Sequence, residues 1–347
     1  MTSMYVGGDA RYFGTPSTID QIQYGIAWAR EQQLPVFILG GGNNILVSDK
    51  GFDGVVLQLN LKGVQVKSED DKKIEFEIGA SENWDEFVAM CVGKGYYGIE
   101  NLSHIPGSVG ASVVQNIGAY GQEVGDCLIS VTAYDTNSEE IIELAKSSID
   151  LGYRKSRFNQ EDKGRFIILS VKLRLSKDGE LNTRYGDVQK YFASRGIDAP
   201  TLSQMRRAII EIRDAKFPYP DKPEQGNTGS FFNAEIIDEQ RFDAIREKFL
   251  SKGMTDKAEY MSRMKSSFKV SQGYKVPFSI LIESLGFKGS TQGGAKVLET
   301  HAGVLCNFTG QATAQDIYTL AQRIIKAVYD EYGVILQPEP ELIGDFS

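Results

Sequence analysis

A single serine between glycines and two large aromatic residues is the first feature of the sequence that could do chemistry. In the run Gly-Asn-Thr-Gly-Ser-Phe-Phe, residues 226–232, the serine is Ser230 and the aromatic residues are Phe231 and Phe232. Glycines let the backbone approach a ligand closely, and we expect the two phenylalanines to anchor the loop in the core. Because a hydroxyl is a weak acid, Ser230 could donate a proton only to a strongly basic group such as an enolate. A serine that caps a turn fits the same pattern.

A second candidate is a glycine-rich loop that could bind an anion. Gly40, Gly41 and Gly42 lie between two predicted strands, 35–39 and 45–47. The Rossmann dinucleotide fold requires a helix after its glycines, so the predicted second strand disfavours that fold. Consecutive glycines can still point several N–H groups at a phosphate, and a simple tight turn is the alternative.

A further loop, residues 105–121, favours the phosphate interpretation. It contains four glycines, and Ser108, Ser112, Gln115 and Asn116 offer hydrogen bonds to a flat polar group. A structural turn would need fewer glycines. Two such loops among the first 125 residues predict one large cofactor that carries phosphate.

Composition and charge exclude several classes of function. The 347 residues carry 38 lysines and arginines against 46 acids, a net charge of −8, which argues against a nucleic-acid partner. Three distant cysteines and an N-terminus without signal-peptide features predict a cytoplasmic protein. No apolar run is long enough for a membrane span. A histidine-based metal site would have to use one of only two histidines, and we expect no metal.

The helices and strands that the sequence predicts around these groups indicate an α+β protein. Hydrophobic periodicity predicts a helix after the pattern Ser17-x-x-Asp20 and another after Thr313-x-x-Asp316. The other predicted helices cover 84–94, 202–216, 239–249, 255–264 and 277–285, and the other predicted strands cover 55–59, 74–78, 128–135, 140–144, 166–175 and 334–337. We predict domains at 1–178 (subdomains about 1–60 and 61–178) and 218–330, a connection at 179–217, and a tail at 331–347 that returns to the first region.

Several of these runs resemble one enzyme family. GGGNNILVSDKGFDGVV and IPGSVGASVVQNIGAYG resemble the FAD-binding domain of the vanillyl-alcohol oxidase group, and more closely that of the UDP-N-acetylenolpyruvoylglucosamine reductases. The similarity continues through YRKSRF (153–158), RYGD (184–187), GNTGSFF, GFKG (286–289) and the tail PEPELIG (338–344). It implies a two-part FAD-binding domain followed by an α+β substrate-binding domain. We expect a monomer that binds a small UDP-sugar.

The resemblance implies a reaction of peptidoglycan precursor synthesis. NADPH reduces FAD, and flavin N5 then gives hydride to the enolpyruvyl group of UDP-N-acetylglucosamine-enolpyruvate. Negative charge develops on the neighbouring carbon and its carboxylate, so the site needs a cation and a proton donor. The family pattern implies Ser230 as proton donor, Arg154 on the carboxylate, and Glu339 as the group that shares charge with Arg154. By residue type alone, Arg154 could instead belong to a solvated basic run, and Glu341 is a second carboxylate in the tail.

The same resemblance implies the binding residues. Those for the cofactor are Leu39, Gly40, Gly41, Gly42, Asn43, Asn44, Pro106, Gly107, Ser108, Gly110, Ala111, Ser112, Gln115, Asn116 and Gly118. Those for the UDP-sugar are Tyr185, Lys216, Asn227, Lys275 and His301.

Two other functions remain open at this point. A FAD-dependent alcohol oxidase could attach its flavin covalently through His104, which precedes the second glycine-rich loop. A non-catalytic nucleotide-sugar binding protein could retain the fold without needing both Ser230 and Glu339.

Overall fold

The computed structural model describes residues 2–347 as two compact units. The N-terminal unit contains residues 10–43 and 52–215, and the C-terminal unit contains the first residues through Asp9, 44–51 and 216–347. The chain therefore leaves the N-terminal unit for one short segment, 44–51, before it returns. Residues 179–215, which we predicted as a connection, belong to the N-terminal unit, and the tail belongs to the C-terminal unit.

The helices and strands are numbered in chain order. The α-helices are α1 Ile19–Glu31, α2 Trp84–Gly93, α3 Val109–Val114, α4 Val124–Cys127, α5 Gly186–Ala193, α6 Leu202–Lys216, α7 Glu239–Ser251, α8 Thr255–Phe268, α9 Phe278–Ser284 and α10 Ala314–Tyr332. The strands are β1 Ala10–Gly14, β2 Val36–Leu39, β3 Ile45–Val47, β4 Phe52–Gln58, β5 Val64–Glu69, β6 Lys73–Gly79, β7 Gly118–Ala119, β8 Gln122–Glu123, β9 Leu128–Asp135, β10 Glu140–Ala145, β11 Phe166–Ser176, β12 Gly226–Ser230, β13 Phe232–Ala234, β14 Ile236–Ile237, β15 Lys269–Val270, β16 Gly273–Lys275, β17 Thr291–Gln292, β18 Ala295–Val297, β19 Val304–Asn307, β20 Leu336–Pro338 and β21 Glu341–Ile343.

The N-terminal unit is built on a parallel and an antiparallel sheet. The three-stranded sheet has the order β1-β4-β2, with both pairs parallel, and the five-stranded sheet has the order β10-β9-β11-β6-β5, with every pair antiparallel. Ile22, Ile26 and Ala29 of α1 are buried in a core cluster with residues of β4, β9 and β11. The capping residue of α1 is Thr18, not the predicted Ser17, because the Thr18 hydroxyl accepts the Gln21 N–H. The two sheets and their helices make this unit α+β.

The last two helices of this unit explain why residues 179–215 do not form a free connection. Val188 and Phe192 of α5 and Met205 and Ile209 of α6 are buried in one cluster with Tyr120. Tyr120 lies in the second glycine-rich loop, so these helices pack against the loop that we expect to bind the cofactor. Apolar burial of this kind offsets the entropy of ordering the segment.

The C-terminal unit has one core, on which α10 lays its apolar face. Ile317, Leu320, Ile324 and Val328 of α10 are buried there, and Thr313 with Asp316 forms the predicted capping box. The tail pairs as β21 in parallel with β3. The last residues of the chain, which we predicted to return to the first region, thus pair with residues 45–47. No helix among residues 2–347 is both long and apolar enough to cross a membrane.

Candidate active site

A β-bulge presents Ser230. In the pairing of β12 with β19, Asn227 lies opposite Cys306 and Ser230 lies opposite Val304, so β12 carries one extra residue between these pairs. Gly229 inside the bulge has a φ of +74°, a conformation that favours glycine. Bulges re-aim the side chains beside them, so the sequence pattern around Ser230 is explained by a bulge rather than by a plain turn.

The residues on both sides of Ser230 hold the bulge in place. Phe231 and Phe232 are fully buried, as we predicted, and the Phe231 N–H donates to the Gly303 carbonyl at 2.7 Å. Ser230 itself stays partly exposed. Ser230 therefore lies on a segment anchored by buried neighbours and is itself not buried.

Asn227, one of the predicted substrate-binding residues, lies inside the protein beside the bulge. Its side chain is buried, with 1% of the residue exposed. Its amide nitrogen donates to the carbonyls of Pro218 and Gln225, and its Oδ1 accepts the Gly229 N–H at 2.8 Å. These contacts use the amide within the loop, so Asn227 shapes the bulge, and its assignment to the substrate stays a prediction.

We expect Gly229→Ala to reduce turnover by disturbing the bulge. A Cβ at this position meets no atom within 4 Å, so the substitution tests the positive φ alone, at a cost of roughly 1–2 kcal/mol. Misplacement of Ser230 should lower the rate of substrate reduction at least ~10-fold. Gly196→Ala is the matched control, because Gly196 has a φ of +63° and equally open surroundings but lies in the N-terminal unit. Equal rates for the two variants, measured beside their urea unfolding curves, would contradict this role of the bulge.

Glu339 lies beside the Ser230 segment. Phe232 of β13 lies opposite Pro338 of β20, and one residue further on the Glu339 N–H donates to the Phe231 carbonyl at 2.8 Å. The Asn44 amide donates to the Glu339 carbonyl at 3.2 Å. The structure therefore brings Glu339 next to the neighbour of Ser230, although more than a hundred residues separate them in the sequence.

The choice between Glu339 and Glu341 depends on local structure. β20 ends at Pro338, and Glu341 begins β21, so the two carboxylates do not share one strand. The Glu341 N–H donates to the Asn44 carbonyl at 3.0 Å. Glu341 thus belongs to the pairing with β3, whereas Glu339 stays on the side of Ser230.

Arg154 lies at the tip of a tight turn in the N-terminal unit. Gly152 and Lys155 exchange backbone hydrogen bonds of 2.9 and 3.1 Å, and Arg154 between them has a φ of +56°. The Asn159 side chain donates to the Arg154 carbonyl at 3.1 Å. Such strain in a residue other than glycine is concentrated at functional sites.

Arg157, the other arginine of this run, has a structural role. Its guanidinium forms an ion pair with Asp162 at 2.5 Å and donates to the Ser148 carbonyl at 2.7 Å. It also lies over the Phe166 ring, with its Cζ 5.1 Å from the ring centroid. These contacts favour Arg154 over Arg157 as the functional arginine.

The two glycine-rich loops lie against each other in the N-terminal unit. A Cβ at Gly41 would lie 2.9 Å from the Gly107 Cα, and a Cβ at Gly40 would lie 3.0 Å from the Ser108 Oγ. Among the described residues, the N–H groups of Gly40, Gly41 and Gly42 donate to no backbone carbonyl. The two loop backbones are in contact, and the N–H groups of these glycines are not bonded to backbone carbonyls. This arrangement fits a phosphate-bearing cofactor such as FAD.

Several predicted cofactor residues take part in the packing of the second loop. Ser112 donates to the Val109 carbonyl at 2.6 Å, and a Cβ at Gly110 would lie 2.8 Å from the Ala80 Cβ. The amide of Asn116 is used by other protein groups, namely Glu123, Gly125 and the Gly152 carbonyl. Both side chains are buried and hydrogen-bonded to protein groups, and their assignment to the cofactor stays a prediction.

The remaining predicted cofactor residues surround the loop contact. Leu39 ends β2, Asn43 follows the glycines, and Asn44 belongs to the C-terminal unit. Pro106 and Gly107 precede α3, Ser108 caps it through the Ala111 N–H, Gln115 follows it, and Gly118 begins β7. Each of these assignments stays a prediction.

The predicted substrate residues are divided between the units. Tyr185, 47% exposed, packs edge-on against Tyr120 with ring centroids 5.3 Å apart in the N-terminal unit. Lys216, Lys275 and His301 belong to the C-terminal unit. Lys275 lies opposite Ile236 at the end of β16, and the Lys216 carbonyl accepts from the Thr300 hydroxyl at 2.5 Å.

His301 is held as a neutral ring. The Gly303 N–H donates to its Nδ1 at 3.1 Å, so the ring proton lies on Nε2. Phe217 packs edge-on against the ring at a centroid distance of 6.2 Å. Burial, with the charge of Lys216 as a smaller cause, lowers the pKa of His301 to about 4. His301 could thus donate a hydrogen bond to a ligand but could not supply positive charge.

We expect His301 to remain neutral, with its proton on Nε2, from neutral pH down to about pH 4. The ring protonates near 6.5 when unfolded, so lowering the pH from 6.5 towards 4 should reduce the contribution of His301 to stability. Nitrogen-15 NMR of the imidazoles checks this, with His301→Gln as the control that separates its signals from those of His104. A ring that gains its second proton near pH 6.5 would contradict the prediction.

Comparison with known proteins first defines the class. Residues 10–145 match the model of the FAD binding domain, and residues 221–343 match that of the UDP-N-acetylenolpyruvoylglucosamine reductase C-terminal domain. The crystal structure of UDP-N-acetylenolpyruvylglucosamine reductase from Thermus caldophilus shares the fold, with a TM-score of 0.64 and 21% identity over 99% of this chain and 96% of that one. The protein is therefore an FAD-binding oxidoreductase with a separate C-terminal domain.

Curated relatives then define the family. The UDP-N-acetylenolpyruvoylglucosamine reductase of Flavobacterium johnsoniae is 38% identical over 88% of this chain and 87% of its own length. That of Amoebophilus asiaticus is 35% identical over 97% of this chain and 95% of its own length. The chain belongs to the UDP-N-acetylenolpyruvoylglucosamine reductase family. The predicted resemblance, the α+β fold and the FAD-binding domain are confirmed.

Proposed function

We propose that this chain reduces the enolpyruvyl group of UDP-N-acetylglucosamine-enolpyruvate to give UDP-N-acetylmuramate, a peptidoglycan precursor, with NADPH as the electron donor. FAD bound at the two glycine-rich loops supplies the hydride. The observation that carries the proposal is the hydrogen bond between the Phe231 carbonyl and the Glu339 N–H. It supports the proposal because it joins the two backbone segments that carry Ser230 and Glu339 in the C-terminal unit of a family member.

Ser230 donates the proton that completes the reduction. Hydride addition at the terminal carbon leaves negative charge on the neighbouring carbon and its carboxylate. A carbanion of this kind is basic enough to take a proton from a hydroxyl. The bulge and the hydrogen bond from the Phe231 N–H hold the backbone that carries Ser230, which would lower the entropic cost of the transfer.

Arg154 and Glu339 act on the same negative charge. The guanidinium of Arg154 can bind the substrate carboxylate through two parallel hydrogen bonds and stabilise the developing enolate. Glu339, whose N–H donates to the Phe231 carbonyl beside Ser230, polarises the enol. Tyr185, Lys216, Lys275 and His301 bind the UDP-sugar, and the neutral Nε2–H of His301 suits a hydrogen bond to a sugar or amide oxygen.

A FAD-dependent alcohol oxidase is the competing enzyme. That function would attach flavin to a histidine, and His104 is the histidine near the second glycine-rich loop. Its Nε2 contacts Asp214 Oδ1 at 2.9 Å, and its side chain is only 19% exposed. This contact disfavours covalent attachment, and acid precipitation that leaves the flavin in solution would agree.

One assay tests the proposed function. The purified protein should show a flavin absorption spectrum and oxidise NADPH much faster when the enolpyruvyl UDP-sugar is present. The product should be heavier than the substrate by two hydrogens in mass spectrometry. A flavoprotein that binds the UDP-sugar without turnover would support the non-catalytic alternative. A cytoplasmic location and a monomeric state remain part of the proposal.

A further inference from the structure

One buried amide connects the second glycine-rich loop to the turn that carries Arg154. Asn116, 2% exposed, donates from its side-chain nitrogen to the Gly152 carbonyl at 3.0 Å and to Glu123 Oε2 at 2.7 Å. Its Oδ1 accepts the Gly125 N–H at 3.0 Å. Because two acceptors face the nitrogen and one N–H faces the oxygen, only this orientation of the amide satisfies every partner.

The Gly152 carbonyl links Asn116 to the backbone of the turn that carries Arg154. Gly152 opens the tight turn that it closes with Lys155, and Arg154 lies at the left-handed tip of that turn. Asn116 itself has a φ of +43°, a second strained residue in the same network. Strain at both ends persists only if the surrounding hydrogen bonds hold it.

We propose that Asn116 is a positioning residue for Arg154, which sets the direction of the guanidinium through the Gly152 carbonyl. This inference rests on the proposed role of Arg154 in binding the substrate carboxylate. The network also joins the turn to the loop that we expect to hold FAD, so one side chain aligns the carboxylate-binding group with the cofactor loop. Loss of the amide should leave the cofactor bound and the substrate carboxylate poorly held.

The experiment measures the two half-reactions of Asn116→Ala separately. Stopped-flow absorbance would follow flavin reduction by NADPH, and then reoxidation of the reduced protein by the enolpyruvyl UDP-sugar. We expect unchanged flavin content and unchanged reduction by NADPH. Reoxidation should slow by about 10²-fold, since a displacement of about 1 Å can cost that much.

Ser103→Ala is the matched control for general damage beside the loop. Ser103 is equally buried, and its hydroxyl donates to the Glu100 carbonyl at 2.6 Å within its own segment. It should leave both half-reactions close to those of the unmodified protein. Thermal unfolding of both variants, followed by circular dichroism, would show whether either has lost its fold.

For the case in which Asn116→Ala does not fold, a second variant tests the same contact. Asn116→Asp keeps the acceptor for the Gly125 N–H and removes the donor to Gly152, and the same slowing of reoxidation is expected.

A double-variant cycle separates this inference from the proposed function. If Asn116 acts through Arg154, Asn116→Ala should cost almost nothing further in a protein that already carries Arg154→Ala. Additive losses, or loss of flavin from Asn116→Ala, would overturn the positioning role. Full activity of Arg154→Ala alone would instead overturn the proposed role of Arg154.

Discussion

Ser230→Ala is expected to slow reoxidation of the reduced protein by the enolpyruvyl UDP-sugar by ~10²–10⁴-fold, the usual loss when a general acid is removed. Reduction of the flavin by NADPH should keep its rate, because that half-reaction needs no proton from the serine. The fold should persist, since Phe231 and Phe232 carry the burial and Ser230 is only partly buried. Stopped-flow measurement of each half-reaction at several substrate concentrations would separate the rate from the affinity.

Thr228→Val is the matched control for Ser230→Ala. Thr228 lies in the same bulge, and its hydroxyl is buried and forms no hydrogen bond. Its removal should change neither half-reaction appreciably. If Ser230→Ala slows both half-reactions equally while its unfolding curve is unchanged, the proton comes from another group.

Arg154→Ala is expected to slow reoxidation by ~10²–10³-fold, as when one donor to a developing oxyanion is lost. The apparent affinity for the UDP-sugar should fall as well, because in the proposed function the guanidinium binds the carboxylate both before and after hydride transfer. Arg154→Lys should recover little of the loss, since an ammonium group cannot make the two parallel hydrogen bonds of a guanidinium. Reduction by NADPH should again be unaffected.

Lys155→Ala is the control for the basic run that contains Arg154. Its side chain is exposed, and the backbone bonds that Lys155 makes to Gly152 do not depend on it. Its removal should leave both half-reactions intact. A loss as large as that of Arg154→Ala would mean that overall positive charge, and not the guanidinium, attracts the substrate. Measurements at low and high salt would reveal that case, because salt screens exposed charges.

The most periodic elements could be predicted from the sequence to within a residue or two. β9 and α6 have the predicted bounds, and α1, α2, α7 and α10 follow their apolar stripes. These segments are encoded locally, because helix periodicity and capping act over three or four residues. Short strands such as β12 to β19 were mostly missed, since each has too few residues to show an alternation.

The sequence by itself also determined the family and the groups that could do the chemistry. Several motifs can be recognised in the sequence: the two glycine-rich loops, the run that contains Ser230, the run that contains Arg154, and the tail that contains Glu339. The anchoring of the bulge by Phe231 and Phe232 followed from hydrophobicity alone.

Only the tertiary structure decided which polar residues face inward. Asn227, Ser112 and Asn116 are predicted ligand contacts, and the structure shows that each is buried and hydrogen-bonded to protein groups. The tertiary structure also placed Glu339 beside Phe231 and moved residues 44–51 into the C-terminal unit. The local sequence does not distinguish a buried amide from a ligand-binding amide, because the partners of a buried amide can come from segments far away in the chain.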